Sequence, residues 1–186
     1  MYDCHDKIEW VSAGEQQFRA LEQPKNLEEK TVLQLWDIDP WEFQVSTSSG
    51  YRCTVTISRI NQAWWFSSCT RCHKAFVAHG NQYRCSGGCP CTTAEPKYCL
   101  SLIGTDGTAT AEFVLFPRVA RQVIGKPVVS LIRSANKNQI GSLNNVGHIL
   151  PEIVELVSRK FTFSVSVTQK SLSQRDFSFQ VNAVVA

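Results

Sequence analysis

Residues 64–91 read WWFSSCTRCHKAFVAHGNQYRCSGGCPC and hold five of the chain's eight cysteines: Cys69, Cys72, Cys85, Cys89 and Cys91. Two residues separate Cys69 from Cys72, so a tight knuckle turns both sulfurs toward one point. Residues 73–84 are long enough for a small β-excursion that returns to the same point. Three residues, including Gly87 and Gly88, separate Cys85 from Cys89. Four thiolates around one Zn2+ make a closed structural site, with no coordination position left for a substrate. Cys91 competes with Cys89 as fourth ligand, and His73 and His79 are the remaining alternatives. The start of the chain, MYDCHDKIEW, has neither the basic residues nor the apolar stretch of a secretory signal. Reduced, metal-bound thiols are therefore expected rather than a disulfide framework. The competing explanation, free thiols packed into a core, fits poorly with so many neighbouring glycines and prolines. A bound metal would replace the missing hydrophobic core of this polar stretch and add folding free energy directly.

Outward from this segment the hydrophobic period is two. Cys53, Val55 and Ile57 alternate with Arg52, Thr54 and Thr56. Further strands are expected over 98–103, 111–116, 161–167 and 177–184, with turns at 105–107 and 172–176. In the fourth strand Phe161, Phe163, Val165 and Val167 face inward, and Thr162, Ser164 and Ser166 outward. Short helices are expected over 119–124, stopped by Gly125 and Pro127, and within 146–157, where Pro151 stands in the way. Residues 31–35 read as extended, and 37–40 as a turn between Trp36 and Trp41. The predicted fold class is all-β with a few helices: five short strands in a small closed barrel, which hides the edges of so few strands. The zinc segment, at about 64–97, lies between the first and second strands. Residues 1–30 form an acidic extension and linker with one short helical stretch, and residues 31–186 form the domain.

The chain has 186 residues, 43% apolar and 19% charged, which suits one globular domain and excludes a disordered, collagenous or coiled-coil chain. No run of 18 apolar residues exists, so no membrane span is expected. Residues 1–50 carry ten acids and four bases, net −6, and residues 51–186 carry fifteen bases and six acids, net +9. That basic body suits a polyanionic partner, although charge alone is equally consistent with a soluble basic domain. Enzyme motifs are missing: no HExxH, P-loop or GxSxG, and no His-x-Glu ahead of Cys89-Pro90-Cys91 as a zinc deaminase requires. The chain is therefore expected not to be an enzyme.

WWF-x-x-Cys-x-x-Cys-x-Lys, YRC, DGTATAEFVLF and ARQVIG, in that order, resemble the C-terminal DNA-binding domain of the replication protein A large subunit, and most closely its plant replication-factor-A-like group. The resemblance spans about residue 31 to the end. It implies an OB barrel with a zinc ribbon inserted after the first strand, single-stranded DNA binding in replication, repair and recombination, and a nuclear location. Cys69, Cys72, Cys85 and Cys89 match the zinc ligands; Trp64, Trp65 and Phe66 match the aromatic run; Phe113 and Phe116 match the third strand. The second knuckle, CSGGC, is one residue longer than the commoner spacing. The family's C-terminal trimerisation helix has no counterpart after the last strand, which leaves assembly with the smaller replication protein A subunits an open partnership.

An OB groove binds single strands with stacked aromatics over a basic floor. The resemblance offers Trp65, Phe76, Tyr83 and Phe116 for stacking, and Arg52, Arg71, Lys74, Arg84, Lys97 and Arg118 for phosphates. Each ring has a core role as its alternative, and each base a solvated surface role. Phe113, Phe161 and Phe163 read as core. No residue pattern separates DNA from RNA. The acidic first 30 residues are expected to compete with DNA for the groove. The rival function is an OB module that meets an acidic protein surface; a zinc enzyme is a third class, opposed by the closed ligand set.

Overall fold

The computed structural model describes residues 27–38, 50–61, 63–80, 82–138, 149–166 and 178–185. The expectations for 1–26, Trp41, the loop before Gly50, the start of 146–157, Val167 and the turn at 172–176 lie outside them. In chain order the elements are β1 (Glu28–Glu29), α1 (Val32–Trp36), β2 (Tyr51–Ile60), β3 (Trp65–Cys69), β4 (Phe76–His79), β5 (Gln82–Cys85), β6 (Ala94–Tyr98), β7 (Leu100–Thr105), β8 (Thr110–Leu115), α2 (Pro117–Ile124), α3 (Val128–Asn138), α4 (Pro151–Val154), β9 (Lys160–Ser166) and β10 (Ser178–Val185).

The alternation in β2 buries Tyr51, Cys53, Val55 and Ile57 and leaves Arg52, Thr54 and Thr56 on the other face. β2 pairs antiparallel with β7, β7 with β8, and β10 with β9, while β8 and β10 run parallel. β9 then returns to β2, Tyr51 opposite Val165 through Thr56 opposite Lys160, and closes a five-stranded barrel. Closure leaves none of the five strands with a free edge along its paired length. Phe113 fills the interior, its ring centroid 5.6 Å from that of Phe163 and 5.9 Å from that of Phe179. Gly104 lets β7 cross this interior: a Cβ there would sit 2.9 Å from Val55 Cγ2 and 3.2 Å from the Phe113 ring. Leu150, Ile153 and Leu156 around α4 add to the same core.

The predicted chemistry of 119–124 holds: α2 starts with Pro117 in its first turn and ends at Gly125, whose φ of 75° only glycine adopts without strain. Three local readings change. Residues 32–35 are not extended but helical, because Thr31, the extended N-cap, and Gln34 form a capping box: Thr31 Oγ1 accepts from the Gln34 amide at 3.2 Å, and Gln34 Oε1 from the Thr31 amide at 2.9 Å. The strand read over 98–103 is two strands that meet at Cys99, whose amide donates to Trp64 O at 3.0 Å, so β6 belongs to the inserted ribbon and β7 to the barrel. Ser164 is buried rather than outward. Helix α3 was not expected from the sequence; it buries Leu131.

Candidate metal centre and nucleic-acid interface

The insertion between β2 and β7 is built from two hairpin-like pairs, β3 with β6 and β4 with β5. Cys69 ends β3 and Cys85 ends β5, so each knuckle begins where a strand stops. In the first knuckle the Cys69 amide donates to Lys74 O at 2.7 Å and the His73 amide to Cys69 O at 2.9 Å. In the second, the Ser86 amide donates to Ala75 O at 2.8 Å and the Gly88 amide to Cys85 O at 3.0 Å. These bonds aim four sulfurs at one point. Cys69 Sγ lies 3.4 Å from Cys89 Sγ and Cys72 Sγ 3.2 Å from Cys85 Sγ, and all four lie within 4.8 Å of one another.

This set can hold one metal ion. Cys91 stands at the edge, outside the four, with its sulfur 3.4 Å from Thr70 Oγ1 and 3.3 Å from Thr93 Oγ1. His73 and His79 are exposed and also lie outside the four. The thiols share protons unequally. At Cys85 burial pushes the thiol up, but hydrogen bonds with Cys72, the Gly87 amide and Cys89 outweigh it and bring it down to about 7. At Cys89 the Cys91 amide pulls the other way, but hydrogen bonds to Cys69, Cys85 and Cys72 together with burial prevail and push the thiol up to about 12. A cation that replaces those shared protons draws all four into the thiolate form.

Cys69, Cys85 and Phe76 form a small core of their own, separate from the barrel core. Phe76 is 9% exposed there. The ring packs with Cys69 and Cys85 in the ribbon core, which leaves far less of it for a base than Tyr83 offers. The ribbon is tied to the barrel by Tyr98, whose hydroxyl donates to Lys126 O at 2.8 Å. Trp64, also buried, lies 6.3 Å from the Tyr98 ring, and α2 and α3 both pack on β6.

The other candidates are distributed over three places. Trp65, 39% exposed, sits on β3 opposite Tyr98, and its neighbour Phe66 is opposite Lys97. Tyr83, 73% exposed, lies on β5 opposite Ala78, with Arg84 next to it. Arg71 and Lys74 flank the first knuckle. Among the described residues, no carboxylate lies within ion-pair distance of Arg71, Lys74 or Arg84, and all three are exposed. Lys97 differs: its Nζ is 3.0 Å from Glu95 Oε1 and 3.0 Å from His73 Nδ1. Phe116, half-buried, caps α2, and exposed Arg118 follows in its first turn. Arg52 is half-buried on β2 opposite Ser164, on the β9 side of the barrel.

The sequence reading passed over Asn61, Ser101 and Glu112, which meet on the outside of the barrel. Asn61 Nδ2 donates to Ser101 Oγ and to Glu112 Oε1, both at 2.8 Å, and the Ser101 hydroxyl donates to Glu112 Oε1. The available signal was the outward phase of the third strand: a lone Glu112 between Ala111 and Phe113.

No protein-family model matches the chain, and no curated protein matches it. Among solved structures, a replication protein A heterotrimer bound to single-stranded DNA superposes with a TM-score of 0.56 at 18% identity, over 86% of this chain and 36% of that one. Yeast RPA bound to single-stranded DNA superposes with a TM-score of 0.57 at 13% identity, over 87% of this chain and 89% of that one. The present chain thus spans 36% of the length of the first of these and 89% of the second. The closed five-stranded barrel, with its β7–β8 hairpin and parallel β8–β10 pair, is an OB-fold of the kind found in those replication protein A structures.

Proposed function

We propose that this chain is a non-enzymatic single-stranded DNA-binding module of the replication protein A type, acting in nuclear DNA replication, repair or recombination, with one structural zinc. The observation that carries the reading is the ribbon surface: three exposed cations, Arg71, Lys74 and Arg84, with no ion-pair partner among the described residues, on the same insertion as two exposed rings, Trp65 and Tyr83. Single strands are held by such pairs of features, with phosphates met by cations and base faces by rings. Arg118 and Phe116, at the start of α2, are further contact candidates in the proposal. The likeness to chains bound to single-stranded DNA supports the same partner here, and assembly with other replication protein A subunits is part of the proposal. Four thiolates without a carboxylate or open position favour zinc over magnesium or calcium, and a structural over a catalytic role. A tetrahedron of sulfurs at ~2.3 Å from zinc has edges of ~3.8 Å, which the four sulfurs reach by small movements.

The test is fluorescence anisotropy of labelled oligo-dT against a matched duplex at two salt concentrations. Preference for the single strand, with affinity falling as salt rises, is expected. Absence of binding at low salt, with fold and metal intact, sinks the proposal and moves the function to a protein partner.

A further inference from the structure

An OB barrel meets an oligonucleotide with the outer face of its second and third strands and with the loops that follow its first and fourth. Helices α2 and α3 belong to neither: they lie between the third barrel strand, β8, and the fourth, β9. From Phe113 to Pro151 the sequence has five bases, Arg118, Arg121, Lys126, Arg133 and Lys137, and no acid; all sixteen acids of the chain lie outside this stretch. In α2 Val119 and Ala120 are buried, while Arg118, Arg121 and Gln122 are exposed at the i, i+3 and i+4 positions of one outer face. In α3 Leu131 is buried, while Ser130, Arg133 and Ser134 are exposed. Lys126 is engaged, its Nζ 3.1 Å from Glu152 Oε1. Among the described residues, no carboxylate lies within ion-pair distance of Arg118, Arg121 or Arg133.

This surface adjoins the ribbon. Trp65 and Tyr98 are opposite each other in the β3–β6 pair, so their side chains share one face of it. On that face the Tyr98 hydroxyl donates to Lys126 O, between α2 and α3, at 2.8 Å. Burial pushes that hydroxyl up to about 12 against the pull of the Arg121 charge, so the guanidinium stands within electrostatic reach of it. Trp65 on the ribbon and Arg121 on α2, both exposed, thus flank the same residue. Exposed cations with hydroxyl and amide donors, and no exposed ring among them, suit phosphates rather than bases. They suit a protein surface less, because buried aromatic anchors carry such interfaces. Among the described residues, Val129 is the only large apolar side chain exposed on either helix. We infer that the outer face of α2 and α3 is a second phosphate-binding surface, which takes the backbone of a single strand where it leaves the ribbon at Trp65. The inference rests on the proposed single-strand binding and gives the strand a path beyond the OB surface.

The test is fluorescence anisotropy on the full chain over a series of salt concentrations. Two labelled oligo-dT probes are used, about 8 and about 25 nucleotides long, one within and one beyond the ~4–16 nucleotides of a single OB fold. The wild type is expected to bind the longer probe with the steeper salt dependence. Arg121→Ala combined with Arg133→Ala should lower the slope of log affinity against log salt for that probe by about 1.4, at about 0.7 per phosphate contact, so that a fourfold rise in salt costs the variant about sevenfold less affinity than it costs the wild type. The shorter probe should bind as to wild type. Arg121→Lys combined with Arg133→Lys keeps both charges and should keep the wild-type slope. Both side chains are exposed and alanine is the best helix former, so the fold should hold; should it not, Arg121→Gln with Arg133→Gln takes the place of the alanine pair. An unchanged slope for the longer probe overturns the second surface and moves its arginines to an acidic protein partner, while the proposed function stands. Equal losses for both probes, or loss in the lysine pair, overturn it too. Binding of neither probe by the wild type overturns both readings.

Discussion

Cys89 and Cys91 are separated by one proline and have different surroundings: one sulfur faces Cys69, the other two threonine hydroxyls. Cys89→Ser is therefore expected to abolish metal retention, and Cys91→Ser to leave one ion per chain, measured as metal content after desalting. Equal loss in both variants would place Cys91 among the ligands. Tyr83→Ala should weaken single-strand binding by roughly 5- to 100-fold, the worth of one stacked base, without shifting the melting temperature, since the ring is 73% exposed. A drop in melting temperature together with affinity would make Tyr83 a packing residue instead. The four-cysteine cluster was legible because thiolate spacing is local and chemically narrow. Phe76 was not: it sits within the same segment as Tyr83, and only the register that puts it opposite Cys85 turns its ring into the ribbon core. Asn61, Ser101 and Glu112 are far apart in sequence, and nothing in any one of them announces the other two.

At the scale of elements, hydrogen bonds at the β7–β8 turn hold α1 to the barrel. Asp106, in the β7–β8 turn, accepts from the Val32 amide of α1 at 2.8 Å through Oδ2, and from the Thr108 amide at 2.9 Å through Oδ1. Burial pushes its carboxyl up, but the hydrogen bonds from Thr108, Val32 and Ala109 outweigh burial and hold it below the usual value. A lowered carboxyl contributes stability that is full above the unfolded value of about 4 and is lost as pH falls through the folded value. Asp106→Asn should accordingly cost about 1.5–3 kcal/mol at neutral pH, the range for hydrogen bonds to a charged group, and the gap to wild type should close in acid. Thermal melts at pH 7 and pH 3 test this; a gap of unchanged size would mean that Asp106 does not act through its charge. The same element exposes the limit of reading by propensity. Thr31 and Val32 suggest a strand, but the Thr-x-x-Gln box is a helix start, and the box prevailed because it satisfies two amides that an extended chain would leave open. Cys99 interrupts what reads as a single strand, since alternation is the same on both sides of the break and only pairing partners distinguish ribbon from barrel.

For the whole molecule, the five barrel strands and the place of the insertion were readable from period two and cysteine spacing. Closure itself followed from the need to hide strand edges; which strands meet, β9 with β2 and β8 parallel to β10, did not, because those pairings join segments more than 60 residues apart, and no local residue pattern encodes a distant partner. The two cores carry a consequence for stability. The barrel core runs through Val55, Phe113, Phe163 and Phe179, whereas the ribbon core has only Cys69, Phe76 and Cys85, with Cys72, Cys89 and Cys91 packed against it. Three buried side chains cannot offset the ordering of an insertion of this size, at roughly 1–2 kcal/mol per residue for the backbone alone, so the proposed metal would carry the order of the ribbon and not that of the barrel. Chelation should then release hydrogen-exchange protection in β3 to β6 while β2 and β7 to β10 keep theirs. The joint at Tyr98 sets how far the loss spreads: its ring packs beside Trp64 in the barrel core, and its hydroxyl holds Lys126, so unfolding should stop near β6. Single-strand affinity should fall with the ribbon, because Trp65, Tyr83, Arg71, Lys74 and Arg84 belong to it. Cooperative loss of protection across all ten strands would show that the ribbon and barrel form one folding unit. Affinity that survives chelation would put the binding surface on the barrel alone.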